Sequence, residues 1–76
     1  MKELVEYLAK GLVDKPDAVR VERVERDGAV VLELHVAPDD VGKVIGRQGR
    51  TARALRTIVS ASGARSNERA LLEIVG

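Results

Sequence analysis

Leu4, Val5, Leu8 and Leu12 recur at helical spacing, with Glu3, Glu6 and Lys10 on the other side. They predict an amphipathic helix from Lys2 to about Val13. Asp14-Lys15-Pro16-Asp17 ends it, because proline cannot continue helical hydrogen bonding. The period then changes to two. Val19 and Val21 alternate with Arg20 and Glu22, and the phase slips before Val24, which suggests a bulge or an early strand end near Arg23. Asp27-Gly28 is a hairpin signal, since both positions tolerate positive φ. Beyond it Val30, Leu32, Leu34 and Val36 alternate with Val31, Glu33 and His35, giving a strand with one apolar face. Pro38-Asp39-Asp40 punctuates the chain and starts a short helix, its acids near the positive N-terminal end. Val41, Val44 and Ile45 are the apolar side of that helix, and Gly46-Arg47-Gln48-Gly49 interrupts it. A longer helix follows from about Arg50 to Ser62, with Ala52, Leu55, Ile58, Val59 and Ser62 on one face and Gly63 as its stop. Ala70 to Val75 reads as a last strand, although so short an apolar run also fits a helix.

The order is α-β-β-α-α-β. It predicts an α+β fold, a three-stranded sheet with helices packed on one face, which buries both apolar faces in a single layer. At 76 residues the chain reads as one small domain, residues 1–76, with no repeat or linker. A domain of this size buries only ~60% of its unfolded surface, so a large enclosed active site is not expected.

Composition narrows the chemistry. Cysteine is absent, which excludes disulfides, thiolate catalysis and Cys-based metal sites. There is one histidine, too few for a His-rich metal site, and neither metal nor cofactor is expected. Phe and Trp are missing and Tyr7 is the only aromatic, so rows of stacked aromatics cannot bind RNA. No apolar run approaches the ~18 residues of a membrane span, and the N-terminal MKELVEY is not a signal peptide. A soluble cytoplasmic domain is expected, with no membrane role and no small-molecule substrate.

The net charge of +1 hides a strong asymmetry. Residues 1–40 hold six basic and ten acidic residues, whereas residues 41–76 hold seven basic and two acidic. No acid occurs between Val41 and Asn67. Such a distribution suits an anionic partner, or else a solvated basic helix in a balanced domain.

Lys43-Val44-Ile45-Gly46-Arg47-Gln48-Gly49-Arg50 concentrates the candidate chemistry. Two glycines three apart between helices permit a tight turn, and without side chains they let another molecule approach the backbone. The helix that starts beside the turn offers free amides and a positive dipole end to a phosphate. Arg47 and Arg50 add cationic donors that can grip phosphate with two hydrogen bonds. Lys43 approaches from the preceding helix, Arg53 continues the basic surface, and Val44-Ile45 could form a floor for a base. Gly-x-x-Gly alone is common; the Val-Ile before it and the basic amphipathic helix after it give it weight. Other phosphate loops fit poorly. The Walker pattern needs Lys-Ser/Thr after its last glycine, where Arg50-Thr51 stands. The dinucleotide fingerprint needs a strand directly before its glycines, where a helix is predicted.

This segment resembles the I-G-x-x-G signature of KH domains, whose loop clamps about four single-stranded nucleotides. The element order looks like the type II, prokaryotic, arrangement. The likeness extends over essentially the whole chain to the bacterial KhpA family, also called YlqC, through M-K-E-L-V-E-Y, L-V-D-K-P-D-A-V-R-V and V-A-P-D-D-V-G-K-V-I-G-R-Q-G-R-T-A-R-A-L-R-T. One departure is Ala52, where many KH domains carry a larger aliphatic, so the depth of the groove is not carried over. The resemblance implies a non-enzymatic binder of single-stranded RNA whose site comprises Lys43, Val44, Ile45, Gly46, Arg47, Gln48, Gly49, Arg50 and Arg53. Bases would turn towards Val44, Ile45 and the edge of the Leu32–Val36 strand. It further implies self-association, a complex with a larger KhpB/Jag-type KH partner, and roles in RNA chaperoning, post-transcriptional regulation and cell elongation. A protein-interaction subunit is therefore the alternative reading. DNA binding or catalysis is a third, for which no nucleophile–base pair or metal cluster speaks.

The remaining candidates are weaker. His35 reads as a surface residue without a second ligand. Asp39 and Asp40 are explained by the helix start, although they could hold a metal. Tyr7 is expected to pack rather than to stack on a base.

Overall fold

The structure is a computed structural model that describes residues 1–76. Helix α1 spans Lys2–Leu12, strand β1 Arg20–Arg26, β2 Ala29–His35, helix α2 Val41–Ile45, α3 Arg50–Arg65 and β3 Ala70–Val75. Short 3-10 turns occupy Pro16–Ala18, Pro38–Asp40 and Arg47–Gly49. The sheet order is β1-β2-β3, with β1 antiparallel and β3 parallel to the central β2. The helices cover one face, as the apolar patterns require.

The hairpin forms at Asp27-Gly28, both at positive φ (51° and 78°), and pairs Arg26 with Ala29. The expected bulge near Arg23 is absent: pairing runs unbroken from Arg20↔His35 to Arg26↔Ala29. The phase slip has another cause. Val24 lies on the open sheet face, opposite Val31 of β2, which lies opposite Leu71 of β3. That face therefore carries its own apolar row, and the alternation mixes two faces rather than breaking.

The core joins Val21, Val30, Leu32, Leu34, Ala70 and Leu72 of the sheet to Val5, Ala9, Val44, Leu55 and Val59 of the helices. On α1 the buried stripe is narrower than the apolar pattern suggests. Val5 and Ala9 are buried, and Leu8 packs against them, but Leu4 and Leu12 stay exposed. Ala9 has no bulk, so α1 comes close to the sheet along one line and its flanking leucines stand clear. Tyr7 is 75% exposed and packs against nothing in the core, contrary to expectation.

Helix α3 does not stop at Gly63. It continues to Arg65 and ends where Asn67 adopts φ 57°. Glu68 N donates to Gly63 O (2.8 Å) and Asn67 N to Ala64 O (3.1 Å), the two bonds of a Schellman cap. Gly63 serves packing instead. It is buried, and a Cβ there would lie 2.6 Å from Ala70 Cβ and 2.9 Å from Glu68 O. Gly63→Ala is expected to lower stability by about 1–2 kcal/mol, because overpacking outweighs the roughly 1 kcal/mol of helix propensity gained. Thermal unfolding checks this; a raised Tm would contradict it.

Candidate functional site

Two features hold the Gly-x-x-Gly turn in place. The first is Gly46 itself, with φ 75° and ψ 173°, a region open essentially to glycine alone. A Cβ there would run into the side chain of Thr51, 2.8 Å from its Cβ, so Thr51 fills the space glycine leaves. Gly49 N donates to Gly46 O (3.1 Å), closing the turn. Gln48 and Gly49 are both left-handed, at φ 57° and 72°. Gly49 has open space around it. The two glycines thus differ: Gly46 needs glycine on conformation and contact, Gly49 on conformation only. Asparagine tolerates the left-handed region. Gly49→Asn is therefore expected to leave a folded, functional loop, whereas Gly46→Asn disrupts it. Backbone NMR shifts of residues 44–52 would report this, and equal perturbation by both variants would refute it.

The second feature is Asp40, the one buried charged side chain, 1% exposed. It stands at the N-cap of α2, as the expected helix start requires, but its side chain makes no cap hydrogen bond there. Its Oδ1 accepts the Asp14 amide (3.2 Å) and its Oδ2 the Lys15 amide (3.0 Å). The loop after α1 is thereby tied to the start of α2, which carries the turn. Asp39 stays at the surface and pairs with Lys15 (3.2 Å). The sequence pattern concealed the latch, since its partners are backbone amides 25 and 26 residues away.

Lys43 belongs to this latch. Its Nζ lies 2.9 Å from Asp14 Oδ2 and 3.8 Å from Asp40 Oδ1. The Asp14 hydrogen bond and charge hold the ammonium above its ordinary pKa, with Asp40 adding to the effect. A raised pKa means that this contribution is complete below the ordinary lysine value and lost only in stronger alkali, so it does not vary near neutral pH. Lys43 is half-exposed but engaged within the chain, not a free donor at the turn.

The arginines behave differently. Arg47, Arg50 and Arg53 are exposed, and none has a carboxylate within ion-pair distance; the same holds for Arg56, Arg65 and Arg69. Arg50 donates only to Gln48 Oε1 (3.2 Å). In contrast, Lys10, Lys15, Arg20, Arg23 and Arg26 all pair with acids. The charge asymmetry of the sequence is therefore a spatial one: the turn and α3 carry uncompensated cations. No side chain caps α3; its Arg50 amide is taken by Arg47 O, and the first-turn amides after it keep donor capacity beside Arg47. Arg53 and Arg56 line a shallow groove along α3 with Thr57 and Ser60, and Arg56 also borders a hollow against β3.

Of the expected apolar floor, only half is available. Val44 is fully buried in the core, while Ile45 is 39% exposed beside Gly46. Ala52, whose small size left the groove undefined, is buried. The Leu32–Val36 strand offers no free edge along β2, because that strand is central and paired on both sides. Base edges cannot be read from it.

Comparison with known proteins decides the family. Residues 2–74 match the family described as KhpA/KhpB, KH domain. The chain belongs to this KH-domain family. It is similar to the RNA-binding protein KhpA of Clostridium perfringens, 52% identical over 75 residues, which cover 99% of this chain and all of that one. The KhpA proteins of Clostridium acetobutylicum and Aquifex aeolicus are 51% and 53% identical over 75 residues, covering 100% and 95% of their lengths. The three-stranded αββααβ domain is the type II KH arrangement expected from the element order. Within this KH fold the Gly46–Gly49 turn occupies the junction of α2 and α3. No helix of the chain is long and apolar enough to cross a membrane.

Proposed function

We propose that this chain is a non-enzymatic, cytoplasmic binder of single-stranded RNA that clamps the phosphate backbone at Gly46–Gly49. One observation carries the reading. A turn bounded by two glycines, fixed by Thr51 and by the Asp40 latch, sits among arginines that no acid neutralises. The names of the KhpA relatives support it. In this reading Arg47 and Arg50 hold phosphates together with the first-turn amides of α3. Gly49, with open space around it, admits the backbone, Gly46 lets the turn form, Gln48 orients Arg50, and Ile45 meets a base. Arg53 extends the track. Lys43 and Val44 act from behind, as the latch and the packing that hold the turn.

Few side chains are placed to read bases, so sequence selectivity is low. One loop spanning about four nucleotides binds weakly. Self-association, or pairing with a KhpB/Jag-type KH protein, would put a second loop on the same RNA and raise avidity. Solution mass with and without RNA tests that part.

The clamp is tested by titrating fluorescent single-stranded RNA at two salt concentrations. Affinity is expected to fall by roughly 0.7 log units per neutralised phosphate for each log unit of salt. Binding that ignores salt, or that survives carboxylates in the turn, would remove the clamp and favour the protein-partner reading.

A further inference from the structure

The open face of the sheet, opposite the helices that carry the turn, gathers a different set of groups. Register places Glu22 of β1 opposite Glu33 of β2, and Glu33 opposite Glu73 of β3. Three carboxylates thus stand in one row, an arrangement that like-charge repulsion opposes. His35, two residues beyond Glu33, projects from the same face. Ligand atoms of Glu22, Glu33 and His35 all lie within 4.8 Å of one another.

Two arginines answer part of the charge. Arg20 Nη1 lies 2.9 Å from Glu22 Oε1. Arg26 bridges Glu33 Oε2 and Glu73 Oε2, each at 2.9 Å. Both guanidiniums therefore engage one oxygen of each carboxylate and leave the other. Three carboxylates against two guanidiniums leave one negative charge while His35 is neutral. The imidazole, 24% exposed, brings the cluster its one nitrogen ligand. His35 Nε2 is shielded from solvent and has no hydrogen-bond partner. Glu33 Oε1 is 3.6 Å away, too far for a hydrogen bond. A shielded ring nitrogen normally finds a partner.

We propose that Glu22, Glu33 and His35 form a binding site for a divalent transition-metal ion, zinc being the best fit. One imidazole and two carboxylate oxygens are a donor set zinc accepts, with a fourth position left to water. Magnesium, which prefers six oxygen ligands, fits poorly. Zinc–ligand distances of about 2.0–2.2 Å require the three atoms to draw together by up to about 1 Å, a movement that falls mainly to the half-exposed Glu22. Arg20 and Arg26 would orient the carboxylates from outside, as outer partners of metal ligands do. The ion would join β1 to β2 and relieve the carboxylate row. It would do so away from the proposed RNA clamp and independently of it.

Calorimetric titration of zinc chloride into the full chain, in a non-chelating buffer at neutral pH, tests the site. His35 is the only histidine, so its imidazole NMR signals report on this site alone. The expected result is one ion per chain with a shift of those signals. His35→Ala and Glu22→Gln each weaken binding at least the roughly tenfold that even losing an outer partner costs. Glu22→Gln replaces a half-exposed side chain, so it keeps the test valid if His35→Ala disturbs folding. Asp17→Asn, outside the cluster, leaves affinity unchanged. Absence of binding at millimolar zinc, or binding equal in wild type and Glu22→Gln with unmoved His35 signals, would overturn the proposal.

Discussion

Replacing Arg47 and Gln48 together by aspartate is expected to reduce RNA affinity by on the order of a hundredfold or more without unfolding the domain. The size follows from what changes. An arginine–phosphate hydrogen bond contributes about 1.5–3 kcal/mol, and its loss is compounded by two carboxylates set beside phosphate. A combined effect of about 3 kcal/mol corresponds to roughly a hundredfold in Kd. The fold has no reason to respond. Both side chains are exposed, and neither belongs to the core cluster. Gln48 is at φ 57°, where aspartate is more at home than glutamine. Both turn glycines remain. The variant should therefore match the wild type in circular dichroism and Tm while losing salt-sensitive binding of fluorescent RNA. Equal binding by a folded variant would exclude the turn as the clamp.

Removal of the Asp40 carboxylate should have the largest effect on stability. Asp40→Ala leaves the amides of Asp14 and Lys15 without their acceptor and strips Lys43 of one of its two carboxylates. Losing hydrogen bonds to a buried charged acceptor is expected to cost about 3 kcal/mol. For a domain of this size that lowers Tm by roughly 12–24 °C. Asp40→Asn keeps an oxygen for one amide but turns an NH2 towards the other, so it recovers only part of the loss. RNA affinity should fall less than in the double aspartate variant, because the turn loses its anchor but keeps its charge. Thermal melts of the two Asp40 variants decide the matter. A Tm indistinguishable from wild type in Asp40→Ala would show that the latch carries no weight.

These variants probe different sources of the same site. Arg47 and Gln48 act through exposed chemistry that a local motif displays. Asp40 acts through burial and distance in sequence, and was legible only as part of a Pro-Asp-Asp helix start. The role of Thr51 is hidden for a related reason: it stands against Gly46, and a threonine in the first turn of a helix has no signature of that. Lys43 shows the reverse error. Its place in the motif suggests a free cation, but Asp14, brought back by the loop after α1, engages it.

The features legible along the chain are local or periodic. Element order, the Asp27-Gly28 hairpin, the two-glycine turn and the acid-free stretch from Val41 to Asn67 all follow from neighbours along the chain. Backbone conformation and helical or strand periodicity are short-range properties, so these were readable. Tertiary structure decided what depends on distant partners. It made Gly63 a packing residue because Ala70 lies against it, and it buried Val44 while leaving Ile45 at the surface. It made β2 central, denying its edge to a ligand. It set Glu22 and Glu33 beside His35, which a strand alternation presents only as a polar face. Strand pairing and helix docking are chosen by the summed burial of the whole core. No single segment contains that sum, so the neighbours it creates cannot be read from any one stretch of sequence.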